Sequence, residues 1–255
     1  MTNWFGTWAF FKRECHRFLK VWGQTVGAPL ISALLYFAIF GAALGSRIGA
    51  TDGVSYLQFL VPGLAAMGMI QHSYQNTSSS LVQMKYLGMI QADLLALPLT
   101  PFQLVLGFVG GAMVRGLMVG SVILLTSRLF VTFSIAHPLV LLLAAVAMSG
   151  IFGLFGLVAG IWAKSFDDVS LVGNFLLTPL VYLGGVFFSI SMIPEGWRYL
   201  ALWNPIFYLV DLFRYALIDV SQGSPLIALG AVVSTFAIML SVAVHIFRIG
   251  WRIQS

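Results

Sequence analysis

The sequence predicts an all-α membrane protein that crosses the bilayer several times. Three observations predict it. Of 255 residues, 60% are hydrophobic and only 8% are charged, against about 25% charged in an ordinary soluble domain. The few charges bracket apolar stretches longer than the ~20 residues that cross a ~30 Å hydrocarbon core. Glycine is abundant, with 26 residues, as in helices that pack within membranes. So little charge cannot cover a globular surface. A soluble enzyme, a disordered chain and a disulfide-stapled module are therefore excluded. The one cysteine, Cys15, can form no bridge within the chain.

The elements follow in order. Residues 1–20 set Trp4, Trp8, Phe11, Phe18 and Leu19 among Lys12, Arg13, Arg17 and Lys20. This pattern predicts an amphipathic helix in the inner interface, aromatic side toward the acyl chains and basic side toward lipid phosphates. No cleavable signal peptide is expected there. Six charge-poor stretches predict six transmembrane helices: 21–46, 53–84, about 102–126, 129–163, 169–194 and 220–247. The third carries Arg115 near its middle. A further apolar stretch, 199–210, is too short to cross. Within 194–219, Asn204-Pro205 reads as an N-cap followed by proline at the first helical position. That predicts a broken, re-entrant helical hairpin on the outer side. Six spans put both termini on one face. The excess of Lys and Arg, net +5, favours a cytoplasmic N- and C-terminus under the positive-inside bias. It is read as membrane bias, not as a nucleic-acid surface.

Absent motifs narrow the chemistry. No G-x-x-x-x-G-K-[ST] occurs. Gly160-Ile-Trp-Ala-Lys-Ser165 lacks the glycine before lysine that lets a backbone wrap phosphate. The chain is expected to bind no cofactor and not to hydrolyse ATP. His16, His72, His137 and His245 lie in different segments without paired ligand spacing, so no metal site is expected.

Several residues stand out from the apolar background. Tyr86, Leu87, Ile90, Leu94 and Leu97 recur near helical spacing between Lys85 and Pro98. This predicts a cytoplasmic amphipathic helix over 83–97. Gln71, His72, Ser73, Tyr74, Gln75 and Asn76 are consecutive polar residues inside the second span. Six adjacent residues circle a helix, so some must face protein or a cavity. Arg115 is costly at such depth; it either ties helices together or anchors an anionic headgroup. Gly107, Gly110, Gly111, Gly116 and Gly120 surround it and permit close helix approach. Asp211 and Arg214 stand at i, i+3 and are expected to pair. Gly184-Gly185 is expected to pack at a dimer axis or act as a hinge. Asp167-Asp168 reads as the N-terminal signal of the fifth span.

As a combination these stretches resemble the ABC-2 permease family, the membrane subunits of a class of ABC transporters. The resemblance covers essentially the whole chain. It is strongest at Pro179-Leu-Val-Tyr-Leu-Gly-Gly185, at the spacing to Pro194, at Asn204-Pro205 with Tyr208, and at Arg214. Gly88-Met-Ile-Gln-Ala-Asp-Leu-Leu-Ala-Leu-Pro98 is similar to the family's coupling element, with Asp93 in its acidic role. The resemblance implies two paired copies of this chain, each resting on one copy of a separately encoded ATPase. That ATPase would use ATP and Mg. Lys85, Tyr86, Leu87, Ile90, Asp93 and Leu94 would meet it, with Asp167 and Asp168 as a second contact. An amphipathic substrate (lipid, lipid-linked glycan or drug) would leave the bacterial inner membrane outward. Gln71, His72, Tyr74, Arg115, Gly184, Gly185, Asn204, Pro205 and Tyr208 would line its path or gate. Two other classes compete. An ion-coupled secondary transporter usually shows acidic residues within its spans and often inverted repeats. A membrane enzyme needs a cluster of His, Asp or Arg at one interface. Neither pattern is evident in the sequence.

Overall fold

The computed structural model describes residues 3–43, 50–90 and 97–250. Helix α1 spans Trp4–Leu19, and Asn3 caps it by accepting from the Gly6 amide at 2.9 Å. A π-helical turn, Gly23–Gly27, leads into α2, Ala28–Ala43. A small hairpin follows, with β1 (Ala50–Thr51) antiparallel to β2 (Val54–Ser55). Its turn uses positive φ at Asp52 and Gly53, where Asp and Gly are tolerated. Helices α3 (Tyr56–Tyr86) and α4 (Pro101–Ser127) both begin with capping boxes, Ser55 with Gln58 and Thr100 with Gln103. Proline opens α4 and also α5, Pro138–Trp162, where its missing N–H costs nothing.

The fifth expected span divides. Helix α6 (Phe166–Leu171) continues through a π-helical turn, Val172–Leu177, into α7, Thr178–Leu183. It stops at Leu183, short of the expected boundary at 194, because Gly184 and Gly185 break it, the latter at φ 78°. A short 3-10 turn, Ile190–Met192, precedes α8 (Glu195–Leu202) and α9 (Pro205–Ile218). Asn204 is the N-cap of α9 and Pro205 its first residue, as their order in the sequence predicts. Helix α10 is Pro225–Ile249.

Among the described residues, five helical segments are long and apolar enough to cross a membrane: Gly23–Gly41, Pro101–Ser127, Pro138–Trp162, Phe166–Leu183 and Pro225–Ile249. Helix α3 is the longest, at 31 residues, but its polar run dilutes its hydropathy. It tolerates those residues because it is the centre of the bundle, buried along nearly its whole length against α4 and α5. The closest approach is at Gly156, where a Cβ would collide with the Tyr74 carbonyl and with Thr77. Thr77 Oγ1 donates to the Gly153 carbonyl there at 2.7 Å. By contrast α2, α6–α7 and α10 turn large apolar faces outward.

Helix α1 packs one side on the protein, and of the aromatic set expected at the acyl chains only Phe18 is fully buried there. Thr7, Phe10, Glu14 and Phe18 face inward, whereas Trp4, Trp8 and Leu19 are exposed. The glycines of α4 cause this. Gly107 lies against Phe10, Gly110 against Phe11 and Gly111 against Glu14, so α1 packs on protein along that stripe.

Candidate functional site

The polar run of α3 sorts by direction. Gln71, His72, Tyr74 and Gln75 line a cavity of about 360 Å³ whose far wall is Ser170, Asn174 and Thr178 of the α6–α7 segment. The Tyr74 hydroxyl donates to the Val169 carbonyl at 2.8 Å and fixes that wall. No lining residue carries a formal charge while His72 is neutral. A second, smaller cavity of about 160 Å³ shares Gln71 and His72 and is otherwise mostly apolar, with Ala33, Tyr36, Leu64, Met67 and Ile123. Ser73 and Asn76 point the other way, toward α4. Ser73 Oγ donates to the Ala112 carbonyl at 3.2 Å.

Arg115 belongs to that hidden side. It is 6% exposed, and its Nε has no hydrogen-bond partner. His72 and Arg17 lie within electrostatic reach of it. The helix spacing sets Arg115 ~21 Å along α4, and His72 ~21 Å from the far end of α3, at 1.5 Å per residue. The two therefore share a level in the bundle.

Below that level a charged clasp joins α1 to α3. Glu14 is fully buried. It accepts from Ser80 Oγ at 3.0 Å and pairs with Arg17 at 3.4 Å. Arg17 also donates to the Asn76 carbonyl at 2.5 Å, to Asn76 Oδ1 at 3.1 Å and to Ser79 Oγ at 3.3 Å. Sequence reasoning placed Arg17 at lipid phosphates and passed over Glu14. The available signal was the 7, 10, 14, 18 spacing, which puts an acid in the middle of a helical stripe.

The expected coupling residues separate. Gln83–Tyr86 is the last turn of α3 and not the start of a new helix, and the chain turns at Gly88 with φ 66°. The Lys85 ammonium donates to the carbonyls of Ile161 and Ala163, at 2.5 and 2.9 Å. It thereby satisfies carbonyls left open where α5 ends. Tyr86 and Leu87 are exposed and Ile90 is buried. Asp93 and Leu94 lie outside the described residues. Asp168 caps α6, accepting from the Lys164 and Ser165 amides at 2.8 and 3.1 Å, and Asp167 is exposed beside it. Lys85 thus holds the end of α3 against the α5–α6 elbow that carries both aspartates.

At the opposite end, the expected Asp211–Arg214 ion pair does not form. Asp211 accepts from the Gln222 amide at 2.7 Å and from Ser221 Oγ at 3.0 Å. Arg214 is fully buried, donates to the Gly185 carbonyl at 2.7 Å and stacks over Phe59 at 3.9 Å. Three residues apart, the two side chains find separate hydrogen-bond partners. Gly184 packs on Ile206 and Gly185 lies beside Phe207, so their close packing is with α9 of the same chain. Asn204 Nδ2 donates to the Leu180 carbonyl at 2.6 Å, and the Tyr208 hydroxyl to the Leu202 carbonyl at 2.9 Å. Gly184, Gly185, Asn204, Pro205 and Tyr208 therefore form the joint between α7 and the α8–α9 pair, and none of them lines the α3 cavity.

A multi-pass helical bundle built around a polar-faced central helix is the architecture of a membrane permease. The chain belongs to the ABC-2 type transporter family, whose model matches residues 6–218. It is 40% identical over 250 residues to the inner membrane transport permease YadH of Escherichia coli (strain K12), across 98% of this chain and 94% of that one. It is 26% identical over 216 residues to nodulation protein J of Rhizobium leguminosarum bv. viciae, across 83% and 81%. It is also 25% identical over 231 residues to nodulation protein J of Rhizobium meliloti (strain 1021), across 89% and 84%. The chain is thus a permease of an ABC transporter, and its family implies an ABC ATPase as partner.

Proposed function

We propose that two copies of this chain pair in the bacterial inner membrane and, with two copies of a separate ATPase, export an amphipathic substrate. Helix α3 is the second of six spans, added to the five strongly apolar segments, and both termini face the cytoplasm. The observation that carries this reading is the cavity of Gln71, His72, Tyr74 and Gln75. It is polar without fixed charge and lies beside helices whose outward faces are unpartnered within the chain. Apolar faces on α2 and α6–α7 suit a second copy across the cavity. The exposed Tyr86 and Leu87, together with the segment through Asp93 and Leu94, suit the ATPase groove, and Asp167 and Asp168 stand beside them. ATP and Mg belong to that partner. The α8–α9 pair forms the outer lid.

The test is reconstitution with the co-purified ATPase in proteoliposomes. The expected result is ATP-dependent outward movement of a fluorescent phospholipid, lost when Tyr86 and Leu87 become alanine. Movement by the permease alone down an ion gradient would overturn the reading in favour of a secondary transporter.

A further inference from the structure

Arg115 is a buried arginine whose charge the described residues leave open. It is 94% buried, taking its 6% exposure, and an arginine stays protonated in a protein. Among the described residues no acid pairs with it; the buried Glu14 is held by Arg17 and Ser80. Its surroundings are rich in idle polar atoms. Arg115 Nε, His72 Nδ1, Asn76 Nδ2 and Ser149 Oγ are all buried without a hydrogen-bond partner. They come from three helices and lie around Arg115: Asn76 against Gly111, one helical turn before it, Ser149 against Gly116, the next residue, and His72 within electrostatic reach. Asn76 lies 3.5 Å from where a Gly111 Cβ would stand, and Ser149 lies 2.6 Å from the same point on Gly116.

Buried polar groups are normally satisfied, and an uncompensated buried charge is costly. A clustered set of such unmet groups around a fixed positive charge is the complement of an anion. The route to it is also present. His72 is the shared wall of both cavities, the polar one and the apolar slot of Leu64, Met67 and Ile123. A ligand whose head passes His72 can leave its chain in that slot.

We propose that Arg115, with His72, Asn76 and Ser149, binds the oxyanion head of a single-chain amphiphile, phosphate or carboxylate, in the middle of the membrane. The site rests on the permease reading only in that the ligand arrives through the α3 cavity. Arg115 supplies the charge and His72 guards the entrance. The neutral amides of Gln71 and Gln75 let the cavity accept varied chemistry between the head and its chain.

The test uses the full chain in phosphatidylcholine nanodiscs, with thermal unfolding as the readout. Dodecyl phosphate, the neutral dodecyl maltoside and inorganic phosphate are titrated separately. The expected result is a saturable rise in Tm with dodecyl phosphate and none with the other two at equal concentration. Arg115→Gln should raise the half-saturating concentration by about tenfold or more, the usual scale of a charge-assisted hydrogen bond. Arg115→Lys should fall between. Should Arg115→Gln fail to fold, His72→Ala serves, with the same direction expected. An equal response to maltoside, an equal response to inorganic phosphate alone, or an unchanged response in the variants would each overturn the site. Because the readout needs no ATP, its failure is distinct from a failure of ATP-driven export.

Discussion

The bundle holds two of its buried arginines in opposite ways. At the α9 joint, Arg214 has the Gly185 carbonyl at 2.7 Å, the Phe59 ring at 3.9 Å, and Asp211 and Asp52 within electrostatic reach. Its Nε and Nη1 make no hydrogen bond, but the ring and the two acids offset its charge. At mid-membrane, Arg115 has idle polar atoms around it and no acid. A charge closed off by its own chain fixes structure. A charge left open waits for something from outside. The same division separates α3 and its neighbours, closed by packing, from α2 and α10, which present bare faces.

That contrast breaks most visibly by substitution of the arginines themselves. Arg214→Met should remove the donor to Gly185 and leave a poorly filled space beside Phe59. The expected loss is about 3 kcal/mol, read as a lower Tm of the purified chain. Arg214→Lys should recover little, since an ammonium lacks the planar stack and fork. Arg115→Gln, measured without added ligand, should leave Tm unchanged or raise it, because neutralising an unpaired buried charge removes a cost. Equal losses in the two variants would end the distinction.

The clasp of α1 is intermediate: its charges are paired, but the pair joins two helices of different kinds. Arg17→Ala strands Glu14, which is fully buried. We expect about 2 kcal/mol of destabilisation. Glu14→Gln combined with Arg17→Gln should cost less than the sum of the two single changes, with a coupling of about 1 kcal/mol in a double-mutant cycle. Strict additivity would mean that the clasp carries no energy and that α1 is held by Phe10 and Phe18 alone.

Much of this was legible in the sequence, for a physical reason. In lipid a helix must satisfy its backbone internally, so charge-free lengths report spans directly. Capping chemistry is equally local: Asn204-Pro205 starts α9, and Asp167-Asp168 lies in the first turn of α6, where the pattern put them. What local pattern does not carry is the partner on another element. Arg214 looked like an interfacial residue paired with Asp211 because i, i+3 spacing is all the sequence displays. Its partners, Phe59 and Gly185, are distant in the chain. The protein-facing stripe of α1 was missed for the same reason, since the α4 glycines that receive Phe10 and Glu14 are distant in the chain. Arg115 was conspicuous because a lone charge in an apolar run needs no partner to be noticed.

The closed centre and the open rim can also be compared through glycine alone. Gly156 faces the Tyr74 carbonyl across the α3–α5 contact, whereas Gly230 in α10 has nothing near the position of a Cβ. Gly156→Ala should cost about 1–3 kcal/mol by overpacking against backbone that cannot yield. Gly230→Ala should stabilise by up to about 1 kcal/mol through helix propensity. A loss at Gly230 in the paired protein, absent from the isolated chain, would show that α10 and not α2 meets the second copy.

The smallest effect is also the most local. Cys15 adjoins the clasp, and burial pushes its thiol above the ordinary value of 9.0, with Glu14 adding to the rise. Only the thiolate reacts, so a raised value means slower labelling near neutrality. A maleimide should modify Cys15 more slowly at about pH 7 than an exposed cysteine on the same protein, and the rate should still be climbing at pH 9.0. Glu14→Gln removes the neighbouring negative charge, lowers the thiol's value and speeds labelling modestly. Because burial is the larger cause, Arg17→Ala should speed it more, by loosening α1 from α3. Should Glu14→Gln outrun Arg17→Ala, the electrostatic cause would dominate, and the clasp would be a charge beside an already open surface and not a closure.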